Sequence, residues 1–170
     1  AFGHGWASVH GMRTDASRRG EGLAGRVLAG LAFLAIGSSC FMRAGFTSEV
    51  DFQHIALVHS GRDGAELTYR DWLAALPGHP LVGELADRLR YQPVVTREAL
   101  AGALGERIPA LIRGGQLEAA VGLPLGLEES RVMICGSPDM VRDCHQALME
   151  RGFRLSRLAA PAQIAVENAW

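Results

Sequence analysis

The alternation of apolar and polar residues changes character part-way along the chain. From His54 onward, short continuous apolar runs alternate with stretches of helical spacing. "HIALVHS" is nearly all apolar, as a strand covered on both faces should be. "DGAELTYRDWLAAL" then repeats at helical spacing. Leu67, Trp72 and Leu76 share one side with Leu73 beside them, and Pro77-Gly78 ends the run. Leu81, Leu85 and Leu89 in "PLVGELADRLR" predict a second helix, "YQPVVTR" the next strand, and "ERIPALIRGG" a short helix stopped by Gly114-Gly115. "QLEAAVGLPLGLEES" reads as loop with one turn of helix. "RVMICG" is a strand, a helix follows it, and "AQIAVENAW" is a last strand.

The order strand, helix, strand, helix, strand predicts an α/β fold. It would be a Rossmann-like, three-layer domain on a mainly parallel five-stranded sheet, with strand order 3-2-1-4-5. The first strand is the gap in this pattern. Residues 1–26 are rich in Gly, His, Arg and Ser, show no clean periodicity, and receive no assignment. Residues 27–36, "VLAGLAFLAI", are uniformly apolar; they read as a buried helix or a helix fused to a strand, and are apolar enough to substitute as the first strand. Residues 37–53 read mostly as loop. The expected organisation is therefore an unassigned segment over 1–53 and an ordered domain over 54–170.

Ligands of such sheets sit beyond the carboxyl ends of the strands. Three ends stand out: His59-Ser60-Gly61-Arg62, Thr96-Arg97-Glu98 and Cys135-Gly136-Ser137-Pro138. At the third, Ser137 suits an N-cap, Pro138 the first helical position and Asp139 the positive end of the helix dipole. Met140, Cys144 and Leu148 would form its inward stripe. Cys135 is left at the carboxyl edge, where it serves either as a small core residue or as a thiol near a helix start. Arg62 and Arg97 follow apolar strands directly, and Arg107 opens a helix soon after. Guanidinium groups grip phosphate with two parallel hydrogen bonds, so this triplet is a candidate anion site. Each arginine alone would more simply be a surface ion-pair partner. His59, Tyr69 and Trp72 read as packing residues.

Composition narrows the picture. The net charge of the 170-residue chain is -1, which gives no electrostatic case for nucleic acid. All 17 basic residues are arginine, so an arginine carries weight only where its position does. The three cysteines, Cys40, Cys135 and Cys144, form no CxxC pair, and the six histidines are scattered, so no metal site is expected. Reduced thiols point to the cytoplasm. Arg18, Arg19 and Arg26 before an apolar run allow a signal-peptide reading of residues 18–40, but no small-residue cleavage site follows. The run is too short to span a bilayer, so no membrane partner is expected.

"HIALVHSGRDGAELTYRDWL", "YQPVVTRE", "ERIPALIRGGQLEAAVGLPL", "VMICGSPDMVRDCHQALMERGF" and "IAVENAW" together resemble the NADP-binding domain of bacterial ferredoxin–NADP⁺ reductases. The resemblance covers residues 54–170, about two thirds of the chain. It implies that Arg62, Arg97 and Arg107 hold the adenosine 2′-phosphate of NADP(H). Cys135 and Gly136, with Ser137 after them, would form the strand end that receives the nicotinamide. Glu167 would serve in proton relay or nicotinamide placement, and Trp170 would be the terminal aromatic that stacks on a flavin. It further implies a monomeric oxidoreductase that passes hydride between NADPH and FAD, then electrons to ferredoxin or flavodoxin.

Three features depart from that pattern. No FAD-binding barrel can be found in the sequence. The family's Thr-Gly-Thr-Gly-Leu-Ala-Pro-Phe loop survives only as Gly30-Leu31-Ala32-Phe33. Ala169 replaces the aromatic that often precedes the last tryptophan. The alternatives to a reductase domain are a non-catalytic NADP(H)-binding module and a truncated or frameshifted fragment whose central sheet position is empty or badly filled.

Overall fold

In the computed structural model, residues 3–10, 52–80, 89–157 and 159–168 are described. Five strands form one sheet: β1 (Gly3–His10), β2 (Phe52–Gly61), β3 (Leu89–Val95), β4 (Ser130–Gly136) and β5 (Ile164–Asn168). Their order across the sheet is β3-β2-β1-β4-β5, and every neighbouring pair is parallel. The helices are α1 (Arg70–Ala75), α2 (Ile108–Gly114), α3 (Gln116–Val121) and α4 (Pro138–Glu150).

The central strand corrects the sequence expectation. The segment "GHGWASVH" lies within the stretch that periodicity leaves unassigned, yet it occupies the middle of the sheet. It pairs with β2 from Gly3↔Phe52 to His10↔Ser60 and with β4 from His4↔Ser130 to Val9↔Cys135. The ladders of β2 and β4 are thereby completed, so the central position is not empty. The candidate first strand at 27–36, with its remnant glycine loop, lies outside the described residues.

Two smaller corrections follow. Residues 63–76 are not one helix: a 3-10 turn at Gly64–Glu66 is followed by the short α1 and a second 3-10 turn at Leu76–Gly78. Leu67 ends the first turn with a non-helical backbone (ψ 58) and is buried, so packing breaks the helix there. Leu89 and Arg90 belong to β3, where Leu89 pairs with Ile55, and not to a helix. Residues 81–88 of that expected helix lie outside the described set.

The pleat divides the core into two layers. Ala56, Val58, Val132, Ile134 and Ile164 point to the face covered by α2, α3 and α4, where Leu111, Cys144, Leu148 and Phe153 complete the packing. Leu57, Met133 and Ala165 point to the other face, with Leu73 of α1, Tyr69, Trp72 and Tyr91. Helix, sheet and helix are thus the three layers. Ser137 caps α4 by accepting from Met140 N–H, and Gly115 terminates α2 with φ 73, a conformation that favours glycine. β3 is an edge strand, which is where its Pro93 can be tolerated. Its outer side is partly covered by Leu104, which donates to the Pro93 carbonyl and accepts from Val95 N–H.

Candidate nucleotide site at the carboxyl edge

The parallel register brings the three arginines to one level. Ser60 of β2 pairs with Val94 of β3, and Val94 bridges in parallel to Leu104. Arg62 lies two residues past that row, while Arg97 and Arg107 each lie three past it. The first two are joined directly, because Arg97 N–H donates to the Arg62 carbonyl at 2.8 Å and Thr96 N–H to the Gly61 carbonyl at 3.2 Å. Arg107 is the residue from which α2 starts. All three are exposed. Among the described residues none of their guanidinium groups has a carboxylate partner. By contrast, Arg113, Arg142 and Arg151 are paired with Glu150, Asp139 and Glu118 respectively.

The loop after β2 is held by acidic side chains that sequence reading does not single out. Asp63 Oδ1 accepts from the backbone N–H groups of Ala65 and Glu66 at 3.1 and 3.2 Å. Glu66 Oε2 accepts from Arg62 N–H at 2.7 Å, and Glu98 Oε1 accepts from Gly64 N–H at 2.6 Å. The available signal is Asp63-x-x-Glu66, a variant of the capping box in which the glutamate reaches back one residue further than usual. With these amides already engaged, an anion at this edge would be met by side-chain guanidinium groups.

A second row crosses the whole sheet. Pro93, His59, Val9, Cys135 and Glu167 are successive register partners from β3 to β5. At a typical strand spacing of ~4.8 Å, Cys135 stands about 10 Å from His59 across β1. Cys135 is half-buried at the carboxyl end of β4, with Gly136 buried after it. The register places the Glu167 backbone opposite Cys135 and that of Asn168 opposite Gly136. Ser137, a sequence candidate for cofactor contact, uses its hydroxyl as the cap of α4. Trp170 lies outside the described residues.

Beside this row, His59 is buried. Its Nδ1 lies 3.3 Å from the Tyr91 hydroxyl, and its ring centroid is 6.2 Å from that of Tyr69. Burial is the main reason the Tyr91 phenol is pushed up to about 12, with Arg70 lowering it and Asp71 raising it. This cluster is structural packing at the edge of the site. Among the described residues no group of His, Cys, Asp and Glu is placed to hold a metal ion, and no helix is long and apolar enough to cross a membrane.

The two described cysteines differ sharply. Cys144 is buried on the inner face of α4, and burial first, then Asp143, pushes its thiol up to about 12. At pH 8 only about one part in ten thousand would be thiolate. A maleimide added to the native chain at pH 8 should therefore modify Cys135 and spare Cys144 until the chain is unfolded. Peptide mapping by mass spectrometry checks this, and equal labelling of both would contradict the packing of α4.

No family model matches the chain. Over 96 residues it is 49% identical to the flavodoxin/ferredoxin–NADP reductase of Shigella flexneri, covering 54% of this chain and 35% of that protein. Over 123 residues it is 34% identical to the ferredoxin–NADP reductase of Pseudomonas aeruginosa, covering 70% and 47%. A solved ferredoxin NADP⁺ reductase from Neisseria gonorrhoeae, with bound FAD and NADP, superposes with a TM-score of 0.71 at 30% identity. That superposition covers 99% of this chain and 57% of that one. Over these residues the chain is similar to part of the ferredoxin/flavodoxin–NADP reductases. It spans about half the length, or less, of these curated relatives. The five motifs of the reductase-like part lie on β2 with α1, on β3, on α2 with α3, on β4 with α4, and, as far as Asn168, on β5.

Proposed function

We propose that residues 54–170, with Gly3–His10 as central strand, form an NADP(H)-binding domain of a ferredoxin/flavodoxin–NADP reductase. The observation that carries this is the common level of Arg62, Arg97 and Arg107 past the row Ser60–Val94–Leu104, with Arg62 and Arg97 joined through their backbones. Guanidinium groups at that corner would take the adenosine 2′-phosphate and so select NADP(H) over NAD(H). The nucleotide would then run across the sheet toward β4, where Cys135 and Gly136 would receive the nicotinamide, with Ser137 fixing the start of α4. Glu167, opposite Cys135 in the register, would assist nicotinamide placement or proton relay, and Trp170 would contribute an aromatic ring.

By the same resemblance the nicotinamide would exchange hydride with a flavin, and ferredoxin or flavodoxin would be the protein partner. The part of that chemistry proposed for these residues is to bind and orient the pyridine nucleotide. Among the described residues no second sheet stands beside the parallel one to hold FAD, so no flavin step is assigned to them. A cytoplasmic, monomeric protein is proposed on the same resemblance.

Isothermal titration calorimetry tests the proposal. Adenosine 2′,5′-bisphosphate should bind about a hundredfold more tightly than 5′-AMP, the discrimination worth two charge-assisted contacts. Equal affinities would overturn it.

A further inference from the structure

We infer that Glu98 is a positioning residue that fixes the spacing of the two arginine-bearing loops. This rests on the phosphate-site reading above. The loops meet through two backbone hydrogen bonds, Arg97 to Arg62 and Thr96 to Gly61. Beyond Arg97, the chain is tied back to the β2 loop by Glu98 Oε1, which accepts from Gly64 N–H at 2.6 Å. Arg62 and Arg97 are thus bracketed between a backbone clamp on one side and a carboxylate clamp on the other. The β2 loop is internally braced by Asp63 and Glu66, so a displacement of Gly64 would carry Arg62 with it.

The sign of the effect separates positioning from simple charge. A carboxylate this near a bound phosphate repels it, so a glutamate acting only through its charge would weaken phosphate binding, and its removal would tighten it. A glutamate acting as a clamp gives the opposite result. Gly64 supplies an independent handle. A Cβ at that position would fall 2.9 Å from Glu98 Oε1, which is the end of a flexible side chain and can swing away at little cost to folding.

The test measures the affinity ratio of adenosine 2′,5′-bisphosphate to 5′-AMP by calorimetry, alongside the amide shift of residue 64 by NMR. Glu98→Ala should lower the ratio about fivefold, somewhat less than the loss of a direct hydrogen bond to a charged group. Gly64→Ala should lower it similarly. Glu98→Gln keeps the acceptor oxygen without the charge, and should retain the ratio and the Gly64 amide shift. Thermal midpoints should stay unchanged because Glu98 is exposed. An unchanged or raised ratio in Glu98→Ala, or a Gln variant that behaves like Ala, overturns the inference while leaving the phosphate site intact. A ratio of one in the unmutated chain removes the phosphate site and this inference together.

Discussion

Replacing Arg62 and Arg97 together by alanine should abolish the preference for adenosine 2′,5′-bisphosphate over 5′-AMP. The expected fall in that ratio is about a hundredfold: each guanidinium removed takes away one charge-assisted interaction, at ~1.4 kcal/mol per factor of ten. Binding of 5′-AMP should change little, because it lacks the group these side chains would grip. Folding should hardly suffer: both residues are exposed, and the hydrogen bonds that tie them into the loops use their backbone atoms. The stability change should therefore stay within about 0.5 kcal/mol, as for other surface substitutions. Lysine at both positions should recover only part of the ratio, since an ammonium cannot make the planar two-point contact. Raising the salt concentration should narrow the unmutated protein's preference, because exposed charges are screened. A double variant that kept its preference would show that the 2′-phosphate docks elsewhere.

Why these arginines stand out in the sequence, while the clamp around them does not, follows from the physics of each signal. Arg62 and Arg97 follow apolar runs that must be buried strands, and a charge just past such a run lies at a strand end by necessity. Glu98, Glu66 and Asp63 look like any solvated carboxylates. What singles them out is a set of backbone amides brought near by tertiary structure, which no local pattern reports.

The same distinction runs through the fold. β4 and α4 are legible because an apolar run, a Ser-Pro-Asp start and a four-residue stripe all agree there, and the structure places Ser137 as cap and Cys144 and Leu148 in the core. β1 is not legible. "GHGWASVH" interleaves glycine, histidine and serine with its apolar residues, so its place comes from ladder partners on both sides and not from its own periodicity. Leu89 misleads because it sits four residues after Leu85 at helical spacing, whereas pairing with Ile55 makes it the first residue of β3. Register, which a local pattern does not carry, decides both.

The hub around Arg151 gives the second large effect. Arg151 closes α4, and its guanidinium donates to Glu118 Oε2 at 2.5 Å and Oε1 at 3.1 Å. It also donates to the carbonyls of Ile112 and Leu125 at 3.1 and 3.4 Å. Glu118 in turn accepts from Leu125 N–H at 2.7 Å. One ion pair thus joins the ends of α2 and α4, the middle of α3 and the segment leading to β4. The two side chains are 29% and 23% exposed, between the surface pairs that contribute almost nothing and the buried pairs whose disruption is severe. Arg151→Ala should therefore cost about 2 kcal/mol at pH 7, measured by urea unfolding.

The pH dependence has a definite sign. Burial opposes the charge on Glu118, but the Arg151 hydrogen bond, Leu125 N–H and the Arg151 charge together outweigh it and hold the carboxyl below its ordinary value. A carboxylate depressed on folding stabilises above its unfolded pKa, about 4.3, and loses that contribution as pH falls through the folded value. The gap between the unmutated chain and Arg151→Ala should accordingly shrink between pH 5 and pH 3, as Glu118 takes up a proton in both proteins. Glu118→Gln keeps an oxygen for Leu125 N–H and should lose less than Arg151→Ala at pH 7, and its deficit should also shrink as pH falls, because the unmutated chain then loses the contribution of the ionised carboxyl. A deficit for Arg151→Ala under about 0.5 kcal/mol, or one constant from pH 7 to pH 3, would mean that the packing of Ile112, Leu148 and Phe153 holds this corner without the ion pair.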